Sequence, residues 1–416
     1  MKDAKQLSVL ISSFACGPNW GSEVGMGWNW ITHLSQYCKL YIITEKGFKD
    51  EIERGIANLN LQYTPTFYYI DIGDKGRKLF WKQGSLSFYY YYKKWQKKAF
   101  LQSKEVISEN KIDLIHQLNL IGFREPGYLW KFSKEIPFIW GPIGGFNQVP
   151  LNYIFKFSFK NKLFYLGKHI IHLFQMHFYR RVKKALNSAS IVFAESSTTK
   201  SILSKVYHIN AVQMNETGAD LDNFSKHDSF CINNIFHILW VGKIQGLKGL
   251  PIALQTLAAL KNKVKAKMTV IGDGPDEMAC RKLTKKLDLD TNVTFLGKIP
   301  NVEVRKLMKN NDILFFTSLK EGTPHVVLEA LSSGLPVVCH NACGHGDIVN
   351  STCGIKIPMI SHNNSITHFT RSLINLYNDK SKLEEFSKGT KLCVEHYSWE
   401  NKTKTMVEYY KRVASR

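Results

Sequence analysis

Nowhere in the 416 residues does an uncharged apolar run approach the ~20 residues that span a bilayer. The longest, such as Ile170 to Tyr179, stop well short, so no transmembrane helix is expected. Cysteine is too dilute for a disulfide scaffold, with eight scattered from position 16 to 393, which suits a reducing, cytoplasmic compartment. Acidic side chains are scarce: 34 Asp+Glu face 56 Lys+Arg, leaving a net charge of +22. Such an excess calls for an anionic partner, nucleic acid or a membrane surface. With 44% hydrophobic and 22% charged residues the chain is not disordered. Lys2, Lys5 and the run Leu7 to Cys16 imitate a signal peptide, but Ser8, Ser12 and Ser13 interrupt it and a glycine-rich loop follows. It reads as a first β-strand.

Short apolar runs alternate with helix-period segments, the pattern of a parallel sheet covered by helices. Expected strands in the first half are Leu7–Phe14, Leu40–Thr44, Thr66–Ile70, Leu114–His116, Phe138–Trp140 and Ile191–Ala194. Those in the second half are Ile235–Val241, Lys267–Ile271, Val293–Leu296, Ile313–Phe316 and Pro336–Cys339. The polar, aperiodic stretch Ser225–Asn234 separates the two series and reads as a linker. Two α/β domains follow, residues 1–224 and 225–397, with a C-terminal helix over 398–416 packing back on the first.

The positive charge gathers in two places. Lys75–Phe100 holds eight Lys/Arg and no acid, threaded with Phe80, Trp81, Phe88, Tyr89 to Tyr92 and Trp95. Leu151–Lys184 again holds eight and no acid, threaded with Phe and Tyr. One reading makes them amphipathic helices with solvated lysine faces. The other, favoured here, makes them one face of the first domain lying on anionic lipid, through Lys78, Lys82, Lys93, Lys94, Lys97, Lys98, Arg180, Arg181, Lys183 and Lys184. Single-stranded nucleic acid uses similar ingredients, but no nucleic-acid signature accompanies them.

Three motifs carry chemistry. Gly21-Ser22-Glu23-Val24-Gly25-Met26-Gly27 follows the first strand and opens a helix, where glycines and free N–H groups suit a phosphate. Its spacing is neither a dinucleotide fingerprint nor a Walker loop. Gly242-Lys243 and Lys248-Gly249 put two lysines on a strand–helix loop able to grip a diphosphate. Glu321-Gly322-Thr323-Pro324-His325 then opens a helix, Thr323 suiting the N-cap, Pro324 the first helical position and Gly334 the stop. Glu321 stands at its mouth and Glu329 about two turns in. Amides for a diphosphate beside carboxylates for hydroxyls suit a nucleotide sugar. Cys339, His340, Cys343, His345 and Cys353 match no standard zinc spacing, and no metal is expected.

With strand-end His116, Trp140-Gly141-Pro142-Ile143-Gly144-Gly145 and Gly272-Asp273-Gly274-Pro275, these motifs resemble, in order and approximate spacing, the retaining GT-B glycosyltransferases of family 4 (group 1). The resemblance implies two Rossmann-like domains facing across a cleft, no cofactor, and a UDP- or GDP-hexose donor held by the second. Lys243 and Lys248 would hold its diphosphate, Glu321, Gly322 and Thr323 the sugar, Glu329 the ribose, and Ile299 the base. The loop at Gly21 would close over the phosphates and His116 would sit near the anomeric carbon, so His116, Glu321 and Lys248 are the expected catalytic residues. Lys243 stands where Arg is commoner and lacks its bidentate geometry. Glu216 to Asp220 departs from the family's Asn-Gly-Val/Ile-Asp and receives no role; His325 contacts phosphate or caps its helix. The function expected is hexosyl transfer to a lipid-linked or glycolipid acceptor in cell-surface polysaccharide or glycolipid synthesis, by an enzyme peripheral on the inner face of the plasma membrane. No nucleic-acid partner is expected. A non-catalytic GT-B-like binding protein and a nucleotide-sugar 2-epimerase are the alternatives.

Overall fold

Mainly apolar runs, buried on both faces in the central strands, build two parallel sheets in a computed structural model that describes residues 6–80, 85–120, 122–221, 224, 225, 227, 229–231 and 234–415. The first sheet comprises β1 Leu7–Ser13, β2 Cys38–Glu45, β3 Thr66–Ile70, β4 Leu114–Asn119, β5 Phe138–Ile143, β6 Ile191–Ala194 and β7 Val212–Gln213. Its order is β3-β2-β1-β4-β5-β6-β7, with Val9 opposite both Leu40 and Leu114. The second comprises β8 Phe236–Val241, β9 Ala266–Ile271, β10 Val293–Gly297, β11 Ile313–Phe316, β12 Val337–His340 and β13 Gly354–Ile357. Its order is β10-β9-β8-β11-β12-β13, with Ile313 opposite Ile238. This is the α/β class expected. The short edge strands β7 and β13 were not anticipated, and β4 runs three residues beyond His116.

Packing divides the chain into two units: Met1–Phe146, Phe174–Thr217 and Trp399–Arg416, against Asn147–Leu173 and Gly218–Ser398. A single boundary at 224 differs from this division. Val149, Tyr153 and Ile154 bury themselves in the core around Trp240, Leu250 and Phe369, carrying 147–173 into the second unit. The stretch 225–234 lies partly outside the described residues, and its described part belongs to the second unit.

In the first unit one sheet face is covered by the helix Leu86–Glu109, capped by Ser85 Oγ accepting from Phe88 N–H at 3.2 Å. Phe88, Tyr92 and Trp95 on that helix meet Phe14 and Phe80 in an aromatic cluster, with Trp95 edge-on to Phe14 at 4.9 Å. This narrows the membrane reading of Lys75–Phe100 to its lysines. Its buried aromatics are core, while Lys78, Lys93, Lys94, Lys97 and Lys98 form a solvated face. Trp81 and Lys82 lie outside the described residues. On the other sheet face the helix Trp399–Ala414 packs Trp399 against Trp30 and buries Lys402, whose ammonium donates to Asn215 O. Burial pushes that amine down to about 7. Among the described residues no helix is long and apolar enough to cross a membrane.

Candidate functional site

The second sheet reverses its order between β8 and β11, and α/β sheets open a ligand crevice at such a switch point. Lys243 and Lys248 leave the end of β8, and Ser318 and Glu321 leave the end of β11. Hydrogen bonds fix the two loops to one another: Leu319 N–H donates to Leu247 O at 2.8 Å, and Thr317 Oγ1 donates to Gly249 O at 2.9 Å. Gly249 adopts φ +69°, and a Cβ there would stand 2.3 Å from Thr317 O, so no other residue fits.

On this frame Lys248 Nζ pairs with Glu321 Oε1, which also accepts from Ser318 Oγ at 2.6 Å. Both side chains are largely but not wholly buried, at 20% and 13% exposure, so solvent screens their attraction only partly. Lys243 is exposed and makes no hydrogen bond or ion pair with the described residues. A cation committed to a carboxylate beside an uncommitted one is an anion-ready arrangement.

The loop behind Glu321 meets a second glycine-rich turn. Gly344 N–H donates to Gly322 O at 3.1 Å, and a Cβ on Gly344 would fall 2.2 Å from that oxygen. Thr323 is buried but is not the N-cap. Pro324 occupies that place and the helix runs His325–Ser332, one residue later than the sequence suggested. A proline cap offers no side-chain acceptor of its own to the amides of the first turn. Glu329 lies one turn beyond His325 and its Oε1 accepts from Asn301 Nδ2 at 3.2 Å; Ile299 is half-buried two residues before Asn301. Burial pushes the His325 imidazole down, against the opposing pull of Glu329.

Ser318, Asn301 and His345 were missed as members of this group. Ser318 and Asn301 each sit next to an expected motif, and only the fold joins them to its carboxylates. His345, considered in the sequence only as a metal ligand, is fully buried with both ring nitrogens unpartnered among the described residues. Burial first, then His340 and Lys248, push its imidazole well down, which keeps it neutral. Among the described residues no cluster of His, Cys, Asp or Glu is placed to hold a metal.

In the first unit the order reverses between β1 and β4. Asn119, at the end of β4, joins the two strand ends: its Nδ2 donates to Ala15 O at 2.7 Å and its Oδ1 accepts from Ala15 N–H at 3.3 Å. Gly21 is exposed at the N-cap of the helix Ser22–Leu34, with open space where a side chain would stand. Gly25 and Gly27 instead press on the backbone of Trp20 and Ala15, so their missing side chains serve internal packing.

His116 is not where a reacting group would be. It lies inside β4, fully buried, with Nε2–H donating to Gly141 O at 2.5 Å and Nδ1 accepting from the Tyr410 hydroxyl at 2.5 Å. Both nitrogens are spent, and burial pushes the imidazole down to about 4. The catalytic reading is corrected to a structural one: the strand continues to Asn119, so the end of β4 lies beyond His116. A His116→Leu variant leaves Gly141 O and the Tyr410 hydroxyl without partners. It should lose about 1–3 kcal/mol in urea unfolding at pH 7, with nucleotide affinity unchanged. In the wild type the unfolded imidazole takes a proton below about pH 6.5 while the folded one resists to about 4. Stability is therefore lost as pH falls across that window, and the loss should be smaller in the variant. Full stability with abolished turnover would restore His116 to the chemistry.

The expected membrane set also needs one correction. Arg181 is committed internally, donating to both carboxylate oxygens of Glu125 at 3.0 and 2.6 Å and to Gly127 O at 2.9 Å. Its guanidinium lies 4.4 Å from the Tyr128 ring centroid. Arg180, Lys183 and Lys184 are exposed.

Residues 231–392 match the family described as glycosyl transferases group 1. The chain is 29% identical over 173 residues to protein CapJ of Staphylococcus aureus, covering 40% of this chain and 43% of CapJ. It spans less than half the length of the curated relatives it matches. Over nearly the whole chain it shares its fold with sucrose-phosphate synthase from Thermosynechococcus elongatus, at TM-score 0.66 and 14% identity, covering 99% and 100% of the two chains. HepE from Anabaena, solved with UDP and glucose, aligns at TM-score 0.57 and 14% identity over 98% and 100%. Residues 231–392, within the second unit, thus resemble the glycosyl transferases group 1 family, and the two parallel sheets share the GT-B fold of these solved structures.

Proposed function

We propose that this protein is a retaining glycosyltransferase that moves a hexosyl residue from a UDP- or GDP-hexose to a lipid-linked saccharide or glycolipid, in polysaccharide or glycolipid synthesis. The observation that carries the reading is the Lys248–Glu321 pair at the β8/β11 switch point, backed by the Gly322 and Gly344 turns. An incoming diphosphate competes with Glu321 for the Lys248 ammonium and draws Lys243 to its other oxygens. Glu321, released, turns its carboxylate to the sugar, and Glu329 takes the ribose hydroxyls. The glycosidic C–O bond breaks with its electron pair leaving on the β-phosphate, whose charge the two lysines and the amides of the first helical turn stabilise. The acceptor hydroxyl attacks on the face the phosphate leaves and passes its proton to the phosphate oxygen. No enzymic nucleophile is needed. HepE was solved with UDP and glucose, which supports a nucleotide-sugar donor here.

A thermal-shift screen of UDP, GDP and their hexoses tests the donor. One nucleotide series should stabilise by roughly 2.7 kcal/mol at one hundred times its Kd. No shift with either nucleoside diphosphate would overturn the reading.

We also place the enzyme in the cytoplasm, peripheral on the inner face of the plasma membrane; all eight cysteines are buried thiols outside any disulfide. The contact surface is the helix Phe159–Phe178, where Phe159, Leu163, Ile170 and Ile171 are 58–83% exposed beside Lys160, Lys162 and Lys168, with no acid. Apolar side chains of that size are seldom left in water without a partner. A triple Phe159→Ser, Leu163→Ser, Ile170→Ser variant should lose most co-sedimentation with anionic vesicles while unfolding as the wild type does. Wild-type binding should weaken as salt rises. Equal, negligible binding to neutral and anionic vesicles at low salt would refute the surface.

A further inference from the structure

Beneath the loop that carries Lys243 and Lys248, inside the second unit, lies a cavity of about 180 Å³. Its floor is apolar, made by Ile244, Leu250, Ile252, Leu283 and Leu319, and the Phe157 ring forms one wall. That ring lies 3.4–3.6 Å from where a Cβ on Gly246 would stand, so it lies close against the lysine-bearing loop. The rim is polar: Lys156 is exposed, and Asn161 Nδ2 donates to Asp276 Oδ1 at 3.2 Å. An engineered apolar cavity of comparable size, about 150 Å³, stays dry and takes a benzene. A site of this kind gains by admitting a hydrocarbon and leaving a polar head at its mouth.

We propose that this cavity is a lipid-chain site, which takes one alkyl or isoprenyl chain and leaves a phosphate-bearing head beside Lys156. Three features commit it to a lipid. The rim segment leads without a break into the exposed face of Phe159 and Leu163; Phe155, next to Lys156, is itself exposed. Residues 151–173 carry Lys156, Lys160, Lys162 and Lys168 and no acid, and the carboxylate in the lining, Asp276, accepts from Asn161, so the balance of charge suits an anionic head. The five floor side chains offer a chain no hydrogen-bonding group to satisfy, while Gln245, Asp276 and His362 belong to the polar part of the lining. Delivery of the chain from a bilayer rests on the membrane reading above, but occupancy of the cavity is measured without a bilayer. The chain comes either from a phospholipid or from a polyprenyl-linked acceptor, and both present the same chemistry.

Isothermal titration of the whole protein with dihexanoylphosphatidylglycerol below its micelle-forming concentration, and separately with farnesyl phosphate, tests it. Saturable binding by at least one is expected, and the tighter of the two names the source. Chainless glycerophosphoglycerol should not compete. Leu283→Trp fills the floor and should weaken binding at least tenfold. Ala279→Trp, from an exposed position whose side chain also borders the cavity, should do the same with less risk to folding. Both variants should keep wild-type UDP or GDP affinity and wild-type vesicle binding. Absence of binding by both probes, undiminished binding in both variants, or equal competition by the chainless head would overturn the chain site. If vesicle binding fails while the probes still bind, the membrane reading falls and the cavity stands.

Discussion

Replacing Lys248 with methionine should weaken nucleoside diphosphate binding at least a hundredfold, and turnover should fall with it. Loss of a charged hydrogen bond accounts for about 1.5–3 kcal/mol, which is tenfold to somewhat more than a hundredfold. The rest comes from what the substitution leaves behind. Glu321, at 13% exposure, keeps Ser318 as a side-chain donor and presents an uncompensated negative charge to the incoming phosphates. A double variant, Lys248→Met with Glu321→Gln, removes that charge as well. It should recover part of the diphosphate affinity and none of the transfer. The coupling between the two sites is thus measurable as a departure from additivity. Calorimetry with UDP and GDP reads it directly, and wild-type affinity in the Lys248→Met protein would remove this loop from the donor site.

Fold class was legible because parallel strands buried on both faces leave an unmistakable trace, uncharged runs such as Leu314-Phe315-Phe316 recurring between helix-period segments. Strand ends were harder. Asn119 is polar and looks like the start of a loop, yet it continues β4 because its amide satisfies both backbone groups of Ala15 on the neighbouring strand end. That three-residue error moved His116 from the core to the crevice. The aromatic run of Lys75–Phe100 misled in a related way, since a helix with lysines on one face and aromatics on the other is equally suited to a bilayer or to a core. Phe14 and Phe80 decide it, and neither proximity is written in the local sequence. The helix Phe159–Phe178 carries similar ingredients with the opposite outcome, its large apolar side chains left facing outward. In the donor loops, spacing identified Lys248 and Glu321 separately. Their pairing, and the part played by Ser318, depend on the adjacency of β8 and β11, strands separated by more than seventy residues.

A Glu321→Gln substitution should separate chemistry from binding with opposite signs. The side chain keeps its length and an oxygen able to accept from Ser318, so the loop held by Leu247 and Thr317 has no cause to move. The charge goes, and with it the carboxylate that competes with a diphosphate for Lys248. Nucleoside diphosphate affinity should therefore stay level or rise a few-fold. Turnover should move the other way. As the glycosidic bond breaks, positive charge grows at the anomeric carbon, and a fixed carboxylate interacts with it more strongly in the transition state than in the bound donor. Removing one such preorganised group costs about 2.7–4 kcal/mol, so kcat should fall by roughly a hundredfold to a thousandfold with the donor KM little changed. Glu321→Ala should lose as much turnover and bind the nucleotide no worse, because the missing element in both is the charge. Steady-state kinetics beside UDP and GDP titration distinguish the outcomes. A rise in KM at constant kcat would make Glu321 a simple binding contact, and weaker nucleotide binding in the Gln variant would mean that the carboxylate orders Lys248 for the phosphate instead of competing with it.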